Sequence, residues 1–600
     1  MINFTNATSD KKRYATVFCV EFVLLLVMTF SVKDKQMGHV DEFYTYSLAN
    51  SGFMGRNHPE IFEKSLHWYA YDTMVNSLTK KFDNDALLKD LTKSGIIHNN
   101  ENNPFKNDFE HYAYDVMRLN YESAASNARH IIWDVPLVFF MFDGGKTSLT
   151  SNDIKNIMMP NDEAKFNFAS VFWNQSFDVH PPLYYMAINT VCSIFYNNGE
   201  FSPWHGLGIN LFFFFLTLPL MYYITYFISK GNHGLSMFTM VMYALMAGGI
   251  VAFLRMYMML TFFTALYTAL ILPYFKGETS IFSKICLALS IILGSLTHHY
   301  FLVYLGITGI LLFIYLIYTR KIKHSLDFMG ISAFSVIISI LIFPFTLIHM
   351  FFSEHGAVDI LYKLSNMNGI EEYASYIAKY FSFIFETIFG DASLLPIIFL
   401  VFGFALICVR KINFPAEIRF LFVTLVLYVT FVAITTKYQD ERYITNIYPI
   451  AVIMFVSFLH GLYKAFAFNI NLKPALALIL LIFTLFNFNS NVSKYLYPDA
   501  VKRYSILEKY KNYPCVYIYD SKDRSFSSQI DSLKLIKELG LYSQVDFVEF
   551  RDLNKFLADY KEKSAIIYFN NIKNMQNAES YFLGNLITEE YGYKVYEIKN

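Results

Sequence analysis

Of 600 residues, 54% are hydrophobic, 18% aromatic and only 16% charged, too apolar a balance for a water-soluble globule, so the bilayer is the expected solvent. The formal net charge is zero, which excludes the global basic field that would make nucleic acid a partner. Five cysteines (Cys19, Cys192, Cys286, Cys408 and Cys515) are scattered without metal-type spacing, which argues against a disulfide framework or a zinc knuckle.

In chain order, Lys11, Lys12 and Arg13 precede an apolar run over 14–32. It is long enough to cross ~30 Å of hydrocarbon and ends without a small-residue cleavage site, so it reads as an uncleaved first span. The next segment, 33–206, carries most of the polar sequence between the first two spans, with aromatic and amphipathic stretches that suggest helices at the membrane surface. Spanning-length apolar runs then recur at 207–229, 237–254, 256–275, 281–296, 300–318, 328–350, 392–409, 420–436, 444–463 and 474–488, which with the first makes eleven. Basic clusters at Lys230, Lys276 with Lys284, Arg320 with Lys321 and Lys323, Arg410 with Lys411 and Arg419, and Lys464 with Lys473 share one side if the N-terminus is cytoplasmic. A further apolar stretch, 181–196, would invert that alternation if it crossed, so it is expected to lie in the interface as a juxtamembrane helix. Past about 490, apolar runs shorten to strand length at 515–520 and 565–570, with helical patterns around 532–539 and 553–560. The expected fold is a polytopic α-helical membrane protein of about eleven transmembrane helices with outer-face juxtamembrane helices. A transmembrane catalytic domain over 1–490, including the large outer loop 33–206, would be followed by a small extracytoplasmic α/β domain over 491–600.

Ionisable residues at or near spans are costly to place, which makes each a candidate for function. Asp41 and Glu42 follow the first span in GHVDEFYTYSLANSG; one carboxylate of such a pair can take a proton from an attacking hydroxyl while its neighbour positions a second group. The competing reading is a solvated interfacial loop, but Phe43, Tyr44 and Tyr46 imply packing onto the membrane. In DVHPPLYY, the paired prolines stiffen a helix entry and hold Asp178 and His180 at its start. Arg255, alone between two spans, suits a lipid phosphate or equally well snorkels. His298 and His299 in THHY stand at another near-loopless turn, where they could bind phosphate, move protons or help ligate a metal. Lys437 and Arg442 in KYQDERY open a span on the outer side; both suit a phosphate head group, Arg through its bidentate fork, and Lys437 equally suits headgroup anchoring. Topology derived from the cytoplasmic basic loops brings all five places to the outer face. Carboxylates beside a cationic cradle suit a nucleophile that needs a base and a leaving group that is an anionic lipid phosphate.

The order of these motifs resembles the GT-C superfamily of membrane glycosyltransferases, especially the branch of protein O-mannosyltransferases and lipid A aminoarabinose transferases. DE after the first span resembles the family's acidic motif, DVHPPLYY its HPPL element, RMYMM its R-x-Y turn, THHYF its T-H-Y segment and ERYITNIYP its late R-Y followed by proline, over roughly 41–449. The resemblance implies inverting transfer from a polyprenyl-phosphate sugar to a hydroxyl acceptor on the outer side of the membrane. Asp41 would be the general base and Glu42 and His180 would position the acceptor. Arg255, His298, His299 and Arg442 would hold the donor phosphate, with Asp178, Tyr257 and Lys437 also in the substrate site. No basic residue directly precedes the prolines, unlike the aminoarabinose branch, and the tail lacks a WWD motif, which disfavours an oligosaccharyltransferase. No cofactor is required by this reading, while a divalent metal held by His298 and His299 with Asp178 stays open. A glycan polymerase or ligase would also use outward residues and a lipid-phosphate donor. A transporter would place ionisable groups near the bilayer midplane, where Glu21 in the first span is the exception among nearly charge-free runs.

Overall fold

The computed structural model describes residues 7–50, 148–351 except 163 and 198, then 360, 363, 369–389, 413–436, 439–466, 482, 485, 487–519, 535–549, 564–570, 584–590 and 593–598. Among them, seven helices are long and apolar enough to cross a membrane: Arg13–Ser31, Trp204–Ile228, Tyr257–Lys276, His299–Tyr318, Ile322–Ile342, Ala416–Thr435 and Glu441–Tyr463. The chain is therefore an integral multi-pass membrane protein, mostly helical, with a sheet at its C-terminal end. The span expected at 237–254 is instead broken, running as His233–Met246 and Gly248–Ala252, and the one at 281–296 forms a shorter apolar helix, Ile281–Ser295. The run at 392–409, most of 474–488, and the helical pattern at 553–560 lie outside the described residues. The stretch expected in the interface forms the helix Leu183–Ile194, 12 residues long. At 1.5 Å per residue that is about 18 Å, too short for a crossing.

The chain clusters into two compact units. The first comprises Met1–Asp34, Val179–Tyr184 and Leu207–Tyr495, the second Lys35–Asp178, Tyr185–Gly206 and Leu496–Asn600. In the first unit, local sequence sets the helix ends. Asn232 caps the helix from His233 by accepting from the Leu235 amide, and Ser280 with Ser283 forms a capping box at Ile281. Gly277, with φ of +76°, closes the helix Tyr257–Lys276 in the left-handed region. Four buried threonines find their partners within or between helices. Thr261, Thr264 and Thr268 each donate to the carbonyl four residues back, and Thr308 donates to the Tyr267 hydroxyl at 3.2 Å. Gly294 admits the Phe301 ring: a Cβ there would lie 2.6 Å from it.

In the second unit, the helix Val40–Asn50 is fastened through buried amides. Asn174 donates to the Leu48 carbonyl at 2.9 Å, Asn189 to that of Ala49 at 3.0 Å, and Asn50 to that of Met158 at 2.8 Å. The Tyr46 hydroxyl accepts from the Gly206 amide at 2.7 Å. The sheet has six described strands: β1 (Ser148–Thr150), β2 (Cys515–Tyr519), β3 (Gln544–Glu549), β4 (Ala565–Asn570), β5 (Gly584–Glu590) and β6 (Tyr593–Ile598), in the order β1-β3-β2-β4-β6-β5. β3, β2 and β4 run parallel, and β1, β6 and β5 add antiparallel edges. β2 and β4 match the expected strands. β1 comes from the segment between the first two spans and pairs with β3 of the tail, so the sheet draws on both stretches of sequence.

Candidate functional site

In the first unit, three turns that open apolar helices bring basic and aromatic side chains around His298. Arg255 stands in the break between Gly248–Ala252 and Tyr257–Lys276 and is almost wholly buried. Asn210 holds that break: its amide donates to the carbonyls of Val251 at 3.1 Å and Phe253 at 2.8 Å, and its oxygen accepts from the Tyr184 hydroxyl at 3.2 Å. The Arg255 amide closes the turn on the Phe253 carbonyl at 2.7 Å. Phe253 stacks on Tyr257 at 5.8 Å, and Tyr257 lies 5.7 Å from the His298 ring.

His298 is the N-cap of the helix His299–Tyr318, and its Nδ1 accepts from the Tyr300 amide at 3.1 Å. An accepting Nδ1 assigns the proton of the neutral ring to Nε2. That Nε2 is buried and, among the described residues, has no hydrogen-bond partner. The His180 ring meets His298 edge-on at 5.2 Å, and Tyr300 stacks on it at 4.8 Å. Pro181 and Pro182 follow His180, and the Leu183 amide donates to the Leu296 carbonyl at 3.0 Å, tying the HPP segment to the turn that carries His298.

Arg442 opens the third turn. Asp440 caps it, accepting from the Arg442 amide at 3.0 Å, with its second oxygen 3.5 Å from the Arg442 Nε. The guanidinium lies over the Tyr443 ring at 5.2 Å, and Tyr443 meets Tyr300 edge-on at 5.6 Å. Burial, then the charges of His180, His299, Arg255 and Arg442, hold the His298 ring well below the ordinary imidazole pKa. His298 is thus a neutral N–H donor among cations. His299 turns instead to His349, 5.6 Å away on the helix Phe345–Phe351. Lys437 lies outside the described residues.

The acidic pair belongs to the second unit, in the first turn of Val40–Asn50. Glu42 is fully buried and accepts from the Lys35 ammonium at 2.6 Å, while its other oxygen faces the amides of Gly38 and His39 at 3.3 and 3.4 Å. Burial lowers the Lys35 pKa and Glu42 opposes that shift. The Asp41 side chain is 26% exposed and lies 3.8 Å from His39 Nδ1, which accepts from the Asp41 amide at 3.2 Å. The two neighbours therefore differ in kind. Glu42 is committed to an ion pair, whereas Asp41 is reachable from solvent. Asp178 is buried at the end of Phe168–Phe177, where the Tyr185 hydroxyl donates to it at 3.4 Å.

No protein-family model and no curated protein matches the sequence. Among solved structures, the chain is similar to ArnT from Cupriavidus metallidurans bound to undecaprenyl phosphate, with 11% identity and a TM-score of 0.42. It is also similar to the apo state of that protein, at 12% identity and 0.38. In both cases 70% of this chain and 87% of the other are covered. At those TM-scores the likeness assigns neither family nor function, and the chemistry rests on this chain's own residues.

Among the described residues, no group of three or more His, Cys, Asp and Glu gathers as a metal site. Sequence reading singled out Arg255, His180, His298 and Arg442, and the structure brings the other three around the His298 ring. It missed Asn210, Lys35, Tyr300 and Tyr443. The last two stand as aromatics at the ends of the quoted THHY and KYQDERY motifs; Asn210, inside an apolar span, was a signal by its polarity alone.

Proposed function

We propose that this chain is an inverting membrane glycosyltransferase that moves a sugar from a polyprenyl-phosphate donor to a hydroxyl acceptor. The observation that carries the reading is the buried neutral N–H of His298 ringed by Arg255, Arg442 and His180, a cluster suited to a dispersed oxyanion. In the reaction, the acceptor oxygen forms a bond to the anomeric carbon as the bond from that carbon to the phosphate oxygen breaks. Asp41 takes the acceptor proton, and Arg255, Arg442 and the His298 Nε2–H stabilise the charge that develops on the departing phosphate. His180, Tyr257 and Asp178 complete the donor and acceptor contacts. Glu42, buried in its pair with Lys35, positions rather than exchanges protons. The N-terminus is assigned to the cytoplasm, and the acidic loop and C-terminal segment to the outer side.

The test uses the purified full-length chain and a strain lacking the gene. Asp41→Asn is expected to bind undecaprenyl phosphate like the wild type yet fail to restore the envelope lipid or glycan product that wild type restores by mass. Arg255→Ala is expected to lose both. Full product restoration by Asp41→Asn removes the base assignment, and unaltered lipid-phosphate binding by Arg255→Ala removes the donor site.

A further inference from the structure

The loop that leads to Asp41 is built around a buried cation. Lys35 is 3% exposed, a costly burial unless the ammonium is paired. Two of the described groups meet it. One is the Glu42 carboxylate at 2.6 Å; the other is the face of the Tyr497 ring, 4.7 Å from the nitrogen. Tyr497 also occupies the space beside Gly38, where a Cβ would fall 2.3 to 2.7 Å from its ring atoms. Glycine is thus the residue that lets the ring seat there.

The same stretch is held by backbone. The Gln36 amide donates to the Leu496 carbonyl at 2.8 Å, and the Lys537 ammonium donates to the Gln36 side-chain oxygen at 3.2 Å. Tyr497 has φ of +51°, a left-handed backbone that is strained for a bulky side chain and persists where surrounding contacts enforce it. The strained residue is also the one that touches both Gly38 and Lys35.

We infer that the segment from Leu496 onward clasps the acidic loop: the Tyr497 ring, seated on Gly38 and against Lys35, is a positioning element that sets Asp41 for proton abstraction. The link runs through Glu42, which joins Lys35 to the Gly38 and His39 amides just ahead of Asp41. This inference rests on Asp41 as the base. It gives the C-terminal segment a part in catalysis without any substrate contact of its own.

The test combines three readouts on the full-length protein: hydrogen exchange of the Gly38 and His39 amides, binding of undecaprenyl phosphate, and product restoration in the deletion strain. Tyr497→Ala is expected to speed exchange at those amides and lower product formation roughly ten- to hundredfold, as small misplacements of a reacting group do, with lipid-phosphate affinity within about twofold of wild type. Tyr497→Phe, which keeps the ring, is expected to behave like wild type, and Tyr497→Leu serves if the alanine variant does not accumulate. Gly38→Ala is expected to match Tyr497→Ala, and the double variant to be no worse than either, since both remove one contact. Unchanged exchange, wild-type product formation in Tyr497→Ala and Tyr497→Leu, or additive losses in the double variant would overturn the clasp while leaving the base assignment intact. Wild-type product from Asp41→Asn instead sinks the base and, with it, the positioning role.

Discussion

Replacing His298 by asparagine separates two jobs that this ring performs. Its Nδ1 caps a helix by accepting from the Tyr300 amide, and asparagine at an N-cap supplies the same kind of acceptor. Its Nε2–H, buried without a hydrogen-bond partner among the described residues, has no counterpart in the shorter side chain. A hydrogen bond to a charged group contributes about 1.5–3 kcal/mol. If that N–H meets the donor phosphate, His298→Asn should bind undecaprenyl phosphate roughly 10- to 150-fold more weakly at nearly wild-type stability. His298→Ala should show the same binding loss plus about 1 kcal/mol of instability from the missing cap. Calorimetric binding and thermal unfolding on the detergent-purified protein measure the two effects separately. Wild-type affinity in His298→Asn would refute the donor role, and equal destabilisation by both substitutions would refute the cap.

Other consequences are open to measurement. Because His298 is held below its ordinary pKa of 6.5, the unfolded chain binds more protons near that value. Its contribution to stability is therefore fully present above about pH 6.5 and lost on acidification; unfolding scans should show a weaker acid dependence in His298→Asn. Lys35→Met should cost about 3–5 kcal/mol by stranding the buried Glu42 carboxylate, and adding Glu42→Leu should recover most of it; no recovery would mean the pair is not the cause. Asn210→Ala removes two bonds to the carbonyls ahead of Arg255. It should cost about 1–3 kcal/mol and weaken lipid-phosphate binding, and unchanged binding would uncouple Asn210 from the Arg255 turn.

The membrane class and the seven long helices were legible in the sequence because span length and apolarity are local properties that the bilayer enforces on each segment alone. The strands at β2 and β4 were legible for a similar reason: their apolar runs are short and bounded. So were Arg255, His298 and Arg442, since a charged or imidazole group beside an apolar run stands out whatever surrounds it. The sequence left other features undetermined. Nothing local says that residues 148–150 pair with β3 some four hundred positions later, that Asn210 takes the carbonyls of Val251 and Phe253 ahead of Arg255, or that Lys35 is buried rather than solvated. The acidic pair shows the division most clearly. Asp41 and Glu42 are adjacent and chemically alike, and only tertiary packing, by burying Lys35 against one and leaving the other near solvent, gives two neighbouring carboxylates different surroundings.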